Sequence, residues 1–218
     1  MNYKILASGS KGNATLIENI LVDCGLPFSK IKPHIQNIDY VLLTHIHADH
    51  FNKSAIIKLA VEKPSIRWIV PEWISKELEL MGVSNVYEVQ MNQPLMMDGM
   101  LFAPIILYHD VDNCGWRIKI NDELAIYMTD TKTVSGIQAY GYDYYFIEAN
   151  YDEEKIQEDI RKDLLATGFS YKIGAMNSHL SYQESVDFFN RNAKKGSIYI
   201  PMHQNKEYDF KSFEKEFL

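Results

Sequence analysis

Thr44–Phe51 reads T-H-I-H-A-D-H-F and follows an apolar run over Asp39–Thr44 of the kind that forms a buried strand. Four side chains able to bind a metal, His45, His47, Asp49 and His50, fall within six residues. Packing does not call for such a set at the end of one strand, whereas a two-metal site does. His45 and His47, at i and i+2, leave an extended segment on the same side and suit one ion. Asp49 and His50, after the chain has turned, suit a second. Histidine is uncommon, and metal ligation is its best-attested clustered use. A fold that accommodates this segment must bring further strand ends to the same rim.

The rest of the composition sets the frame. With 218 residues, 46% of them hydrophobic, the chain suits one compact domain, or at most two small ones, and is read here as a single domain over 1–218. The formal net charge of -7 disfavours binding to a nucleic-acid backbone through bulk charge, although bound cations invert the potential locally. Cys24 and Cys114 are far apart and in no C-x-x-C arrangement, so free thiols in a cytoplasmic protein are expected. No run reads as a signal peptide or a membrane span, and no membrane partner is expected.

Along the chain, strands are predicted at Tyr3–Ala7, Ala14–Glu18, Ile20–Val22, Ile66–Val70, Asn85–Met91, Met100–Tyr108, Cys114–Ile120, Leu124–Thr129, Tyr144–Ile147 and Ser197–Pro201. Helices are predicted at Ser29–Asn37 (interrupted by Pro33), Lys53–Glu62, Pro71 to about Met81, Asp152–Leu165 and Tyr182–Ala193, with Ser181 as a cap. Helical spacing marks Asp209–Leu218. Ser8–Asn13 is rich in glycine and serine but lacks the spacing of a phosphate-binding loop, so it reads as a tight strand connection. His34, alone among polar neighbours, reads as a surface histidine. One arrangement recurs: a strand, then a titratable residue at its end. It occurs at Asp23, at His45–His50, and at His109, Asp130, Glu148 and His203.

These residues resemble the metallo-β-lactamase-fold metallohydrolases, on His45-x-His47-x-Asp49-His50 followed by His109, Asp130 and His203. The resemblance implies an α/β fold, an αββα sandwich of two mixed sheets flanked by helices. It implies that His45, His47 and His109 hold one metal and Asp49, His50 and His203 a second. Asp130 would bridge them, and Asp23 would orient a ligand histidine. Leu6–Asn13, Glu148–Asn150 and Ser178–Ser181 are similar to the YycJ (WalJ)-type branch, relatives of RNase Z and RNase J. In that group a glutamate–histidine pair lies beside the metals, here Glu148 and His179. Ser178 stands where the branch usually has glycine, and Tyr182 where a polar residue is common.

Two cations bridged by a carboxylate lower the pKa of a water held between them, and that hydroxide attacks a phosphoryl centre in line. A phosphodiester also needs a proton for its leaving alkoxide. His179, with Glu148 fixing its tautomer, fits that role, and Asp49 joins them as a candidate catalytic group. Zinc is the expected ion, with manganese as the other candidate. The expected activity is a phosphodiesterase. The alternatives are another hydrolase of the fold, such as a lactonase or thioesterase, and a non-hydrolytic metal protein. The family's lactamases lack the carboxylate at position 130, and its di-iron members carry glutamate where His47 stands.

The separation from His109 to Asp130 is 21 residues (130 − 109), which leaves no room for the long tRNA-holding arm of RNase Z. That from Asp130 to His203 is 73 (203 − 130), too short for the inserted domain of RNase J. Two substrate classes stay open: small or cyclic nucleotides, as in the similar phage anti-Pycsar phosphodiesterases, and DNA ends, as for YycJ-type exonucleases. Acidity and short connections favour the small nucleotide. Trp116, Tyr108 and Tyr151 are candidates to stack a base, with ordinary packing as their other use. A homodimer is a further expectation.

Overall fold

The structure, a computed structural model, describes residues 1–216. The chain divides into two compact units, residues 1–106 and Leu107 onward.

The first unit carries β1 (Tyr3–Ala7), β2 (Ala14–Ile17), β3 (Ile20–Val22), β4 (Tyr40–Leu42), β5 (Arg67–Pro71) and β6 (Val86–Val89), hydrogen-bonded in that order into one sheet. β1 to β3 pair antiparallel through short turns, and β3 to β6 pair parallel. Parallel strands need crossovers, which are supplied by α1 (Phe28–Ile31) with a 3-10 turn (Lys32–Asn37), α2 (Lys53–Glu62) and α3 (Glu72–Leu80). Pro33 sits in the first turn of the 3-10 segment, where its missing N–H costs nothing, so the predicted interruption becomes a change of helix type. All three residues of β4 are buried, as expected of a strand covered on both faces.

Asn52 caps α2 by accepting from the Ala55 N–H at 3.0 Å. Ala55, Ile56 and Leu59 face the core, while Ile57 and Val61 are exposed, so only one face of this apolar helix is packed. The core it joins includes Ile31, Val41, Leu43, Trp68, Ile74 and Leu78. A hairpin of β7 (Leu95–Met97) and β8 (Met100–Leu107) follows. β7 was not expected. Its tip is fixed by Asp98, which accepts from both the Tyr40 hydroxyl and the Arg67 guanidinium.

In the second unit β9 (Asn113–Ile120) pairs antiparallel with β10 (Glu123–Met128) about a turn containing Asn121 at φ 52°. β10, β11 (Tyr144–Glu148) and β12 (Ile198–Met202) are parallel neighbours. α4 (Glu153–Thr167), α5 (Lys172–Ser178) and α6 (Tyr182–Asn192) span the β11–β12 crossover. Asp152 and Ser181 cap α4 and α6 through the N–H groups of Lys155 at 2.9 Å and Glu184 at 3.0 Å. α6 buries Phe188 and Phe189, and the Phe189 ring stands edge-on to Tyr145 at 5.1 Å.

α5 was not foreseen, because it is short and holds a glycine. The expected C-terminal helix is a correction. Phe213–Glu214 form an edge strand, β13, antiparallel to β12, and Phe213 packs on Tyr199 and Phe189 at 4.9 and 5.3 Å. Tertiary packing outweighs a weak local helical preference there. The remainder of that prediction, 217–218, lies outside the described residues. Cys24 and Cys114 are free and buried. Among the described residues no helix is long and apolar enough to cross a membrane.

Candidate metal centre

Within the first unit the site begins where β3 and β4 end. Asp23 follows β3 with φ 62°, a left-handed conformation that aspartate tolerates. It is fully buried. Its Oδ1 accepts from the Thr44 N–H at 3.0 Å and from the Thr44 hydroxyl at 2.9 Å. Its Oδ2 lies 2.7 Å from His50 Nδ1. A carboxylate only accepts, so Nδ1 of His50 carries the proton and Nε2 carries the lone pair. Thr44, having given its hydroxyl proton to Asp23, accepts from His45 Nδ1 at 3.0 Å. One buried carboxylate thereby sets the tautomer of two histidines, directly for His50 and through Thr44 for His45.

The turn after β4 is closed by the His50 and Phe51 N–H groups donating to the His47 carbonyl at 2.9 and 2.7 Å. The rings of His45 and His47 stand 4.8 Å apart, and those of His45 and His50 4.2 Å. His50 Nε2 is 3.7 Å from Asp49 Oδ2. His45 and His50 are buried, and His47 and Asp49 are half-buried. The four side chains expected as ligands, His45, His47, Asp49 and His50, lie together after β4. Cys24, next to Asp23, is no nucleophile: burial first, then the Asp23 charge, pushes its thiol pKa far up.

The second unit gathers the other expected residues, His109, Asp130, Glu148, His179 and His203. Asp130 follows β10 and His203 follows β12, with φ of 54° and 48°. Glu148 is the last residue of β11 and is fully buried. Its Oε1 lies 2.7 Å from His179 Nδ1 and 3.3 Å from His203 Nδ1. Its Oε2 accepts from the N–H groups of Thr131 at 2.7 Å and Leu180 at 3.4 Å. Asp130 Oδ1 lies 3.3 Å from His179 Nδ1 and 3.4 Å from His203 Nε2. His109 Nδ1 donates to the Ser178 carbonyl at 3.3 Å, and its ring is 5.5 Å from that of His179. One ligand atom each from Asp130, Glu148, His179 and His203 lies within 4.8 Å of the others.

Charge follows from this geometry. Burial disfavours the ionised Glu148, but the hydrogen bonds from His179 and His203 outweigh it and hold its pKa below the usual glutamate value. Burial likewise pulls His179 down, but the hydrogen bond to Glu148 and the charges of Glu148 and Asp130 outweigh it. Its imidazole is held above the ordinary histidine value.

Three supporting residues escape sequence reasoning. Asn113 donates to the Asp130 carbonyl at 2.6 Å. Asn150 donates to the His203 carbonyl at 2.9 Å, and Thr44 has the double role just described. Each lies within a few residues of a ligand or a strand end, which is the only signal they carry. Of the three aromatic candidates for base stacking, Trp116 is fully buried and Tyr151 is 6% exposed, whereas Tyr108 is 54% exposed. Packing is therefore the use of the first two.

The donor set is imidazole nitrogens and carboxylate oxygens, with Nδ1 of His45 and of His50 taken by hydrogen bonds. That chemistry fits divalent zinc, manganese or iron. Strand-end histidines and aspartates on mixed sheets define the class, metal-dependent hydrolases. Residues 18–204 match the β-lactamase superfamily domain, and the chain belongs to that family.

Solved structures share the fold, two mixed sheets flanked by helices, as expected. The metallo-β-lactamase fold protein YhfI from Bacillus subtilis is similar with a TM-score of 0.70 at 15% identity, covering 95% of this chain and 88% of that one. Human tRNase Z, short form (ELAC1), gives 0.66 at 16%, covering 100% of each chain. A diphosphatase from the PhnP family gives 0.65 at 16%, covering 93% and 85%. No curated protein sequence matches the chain.

Proposed function

We propose that the two residue sets serve one dinuclear centre and that the protein hydrolyses a nucleotide phosphodiester, with small or cyclic nucleotides as the preferred substrates. In this reading His45, His47 and His109 hold one cation, Asp49, His50 and His203 hold the other, and Asp130 serves both. When bound, divalent cations supply Lewis-acid stabilisation of developing phosphoryl charge and activation of water. The observation that carries the reading is the pair formed by His179 and the buried Glu148 at 2.7 Å.

Glu148 accepts the Nδ1 proton, which leaves Nε2 of the cationic imidazole as the donor to the leaving alkoxide oxygen. The hydrogen bond to Glu148 and the charges of Glu148 and Asp130 favour the protonated imidazole. A thioester, whose thiolate leaves without a proton, has less need of such a donor than a phosphodiester. The similarity to a tRNase Z and to a PhnP-family diphosphatase supports phosphoester chemistry. The net charge of -7 and the exposed Tyr108 support a small nucleotide over a polyanion.

The test offers purified protein, with zinc or manganese, cyclic mononucleotides, a bis-nitrophenyl phosphate ester, linear DNA and a β-lactam. Turnover of the cyclic nucleotide and the phosphate diester is expected. Cleavage of DNA alone moves the reading to a YycJ-type exonuclease, and activity on the β-lactam alone overturns the class. His179→Ala is expected to keep its bound metal and lose about 10²- to 10⁴-fold in turnover. Unchanged turnover with the metal retained removes His179 from this role.

A further inference from the structure

α5 packs the wrong way round for a helix on a soluble protein. Its buried residue is Lys172, whereas Ile173 and the flanking Phe169 and Tyr171 are exposed. Seven residues long, it draws little from burial of apolar surface and is too short to be stable alone. Two groups of the candidate site nevertheless depend on it: His179, which is its C-cap, and the Ser178 carbonyl, which accepts from His109 Nδ1 at 3.3 Å. We propose that Lys172 is a positioning residue, whose ammonium clamps α5 to α4 and to the turn after His203 and so holds His179 in place against Glu148 for proton transfer. The catalytic part of this role rests on the phosphodiesterase reading given above.

Lys172 Nζ donates to Asp159 Oδ2 at 3.0 Å and lies 3.5 Å from Glu207 Oε2. Asp159 belongs to α4, and Glu207 to the turn after His203. One ammonium thus joins three segments. Two of them carry His179 and His203, whose rings stack at 5.2 Å with their planes 19° apart. The other end of α5 is fixed separately: Leu180 is fully buried, and its carbonyl accepts from the Asn150 N–H at 2.9 Å. At a rise of about 1.5 Å per residue, Lys172 lies about 10 Å from His179 along the axis. The helix is therefore a short lever, pinned by Leu180 at one end and by Lys172 at the other.

Neighbouring links do not replace this one. The Ser170 hydroxyl donates to Asp163 Oδ2 of α4 at 2.7 Å, but Ser170 precedes the helix. Lys155 of α4 donates to the Glu207 carbonyl at 3.5 Å, which ties the turn to α4 without touching α5. Lys172 is what adds α5 to both. A bridge with so little solvent exposure contributes little net stability compared with apolar side chains of the same size. Register between three segments is the better reason for it, since an apolar side chain there would not select the two carboxylates as its neighbours.

The test reads local opening and turnover separately. Lys172→Met keeps the length of the side chain and deletes its charge. The His179 N–H donates to the Ala175 carbonyl at 3.0 Å, and in this variant it is expected to exchange about 10- to 100-fold faster while the amides of β10 keep their wild-type rates. With the bis-nitrophenyl phosphate ester, kcat is expected to fall about 10- to 100-fold and KM to stay within about threefold, because a displaced donor affects the chemical step rather than binding. Asp159→Asn keeps an acceptor in place and removes one charge, so a smaller acceleration of about three- to fivefold is expected; it decides the matter if Lys172→Met does not fold. Exchange at His179 that stays within about twofold of wild type overturns the proposal. Faster exchange with unchanged kcat overturns the positioning role. Failure of the wild type to turn over the ester instead overturns the phosphodiesterase reading, and the exchange rates still decide whether Lys172 holds His179.

Discussion

Gly25 offers a severe test of the packing behind the ligands. A Cβ added there would lie 1.6 Å from the Asp49 carbonyl oxygen, 2.2 Å from its carbon and 2.9 Å from the Asn13 nitrogen. Real Cβ contacts do not fall below 3.0 Å, so Gly25→Ala requires a displacement of 3.0 − 1.6 = 1.4 Å. Every atom in the way is backbone, and no rotamer change relieves the clash. The displacement breaks the Asn13–Asp49 and Gly25–Asn13 bonds, at 2.6 and 2.9 Å, and strains the Cys24–His50 bond, at 2.9 Å. Two lost hydrogen bonds at about 1 kcal/mol each, with overpacking strain of about 1–3 kcal/mol, give a loss of about 3–5 kcal/mol. For a chain of this size that corresponds to a fall of roughly 6–20 °C in Tm. Urea unfolding of chelator-treated protein measures it without interference from metal. A loss below about 1 kcal/mol would refute the reasoning, because a clash of this kind cannot be absorbed so cheaply.

Asp152→Ala removes the cap of α4 and is expected to cost about 1 kcal/mol by urea unfolding. The pKa of Asp152 is lowered chiefly by the Lys155 N–H, so its contribution is present above the ordinary aspartate value of 3.8 and is lost as pH falls through the folded-state value; Asp152→Asn should keep the cap and flatten that dependence. In chelator-treated protein His179 is expected to titrate above its ordinary 6.5 by NMR, and Glu148→Gln to bring it down; no change would detach the titration of His179 from Glu148. Stripping metal from the loaded protein should lower its unfolding free energy by about 2.7 kcal/mol relative to protein held at a hundredfold excess over Kd, and equal stability would argue against a resident cation.

Much of the site was legible because strand ends are. The His45–His50 run stands out as consecutive residues, and Asp130, Glu148 and His203 each close a strand that hydrophobic patterning locates to within a residue or two. The backbone at those ends was not legible. Nothing in the letters tells that Asp23, Asp130 and His203 are left-handed, since a non-glycine residue adopts that conformation only when its surroundings impose it. The double use of Thr44 was hidden for a related reason: a threonine in a loop has many local partners, and only the fold chooses among them. α5 and β13 were missed because neither is long enough for periodicity to speak.

The hydrogen bonds that hold the two ligand sets differ in how much chain they must close. Asp23 reaches His50 across 27 residues, whereas His109 meets the Ser178 carbonyl across 69. The added closure entropy is small, about 0.8 kcal/mol from the logarithm of that ratio, but the order of events is not neutral. During synthesis the segment from Asp23 to His50 is complete before His109 has been added, and α5, which seats His109, comes later still. The set of side chains with its tautomers fixed by Asp23 is therefore the earlier one in the life of the chain, and the set that includes His179 is the later.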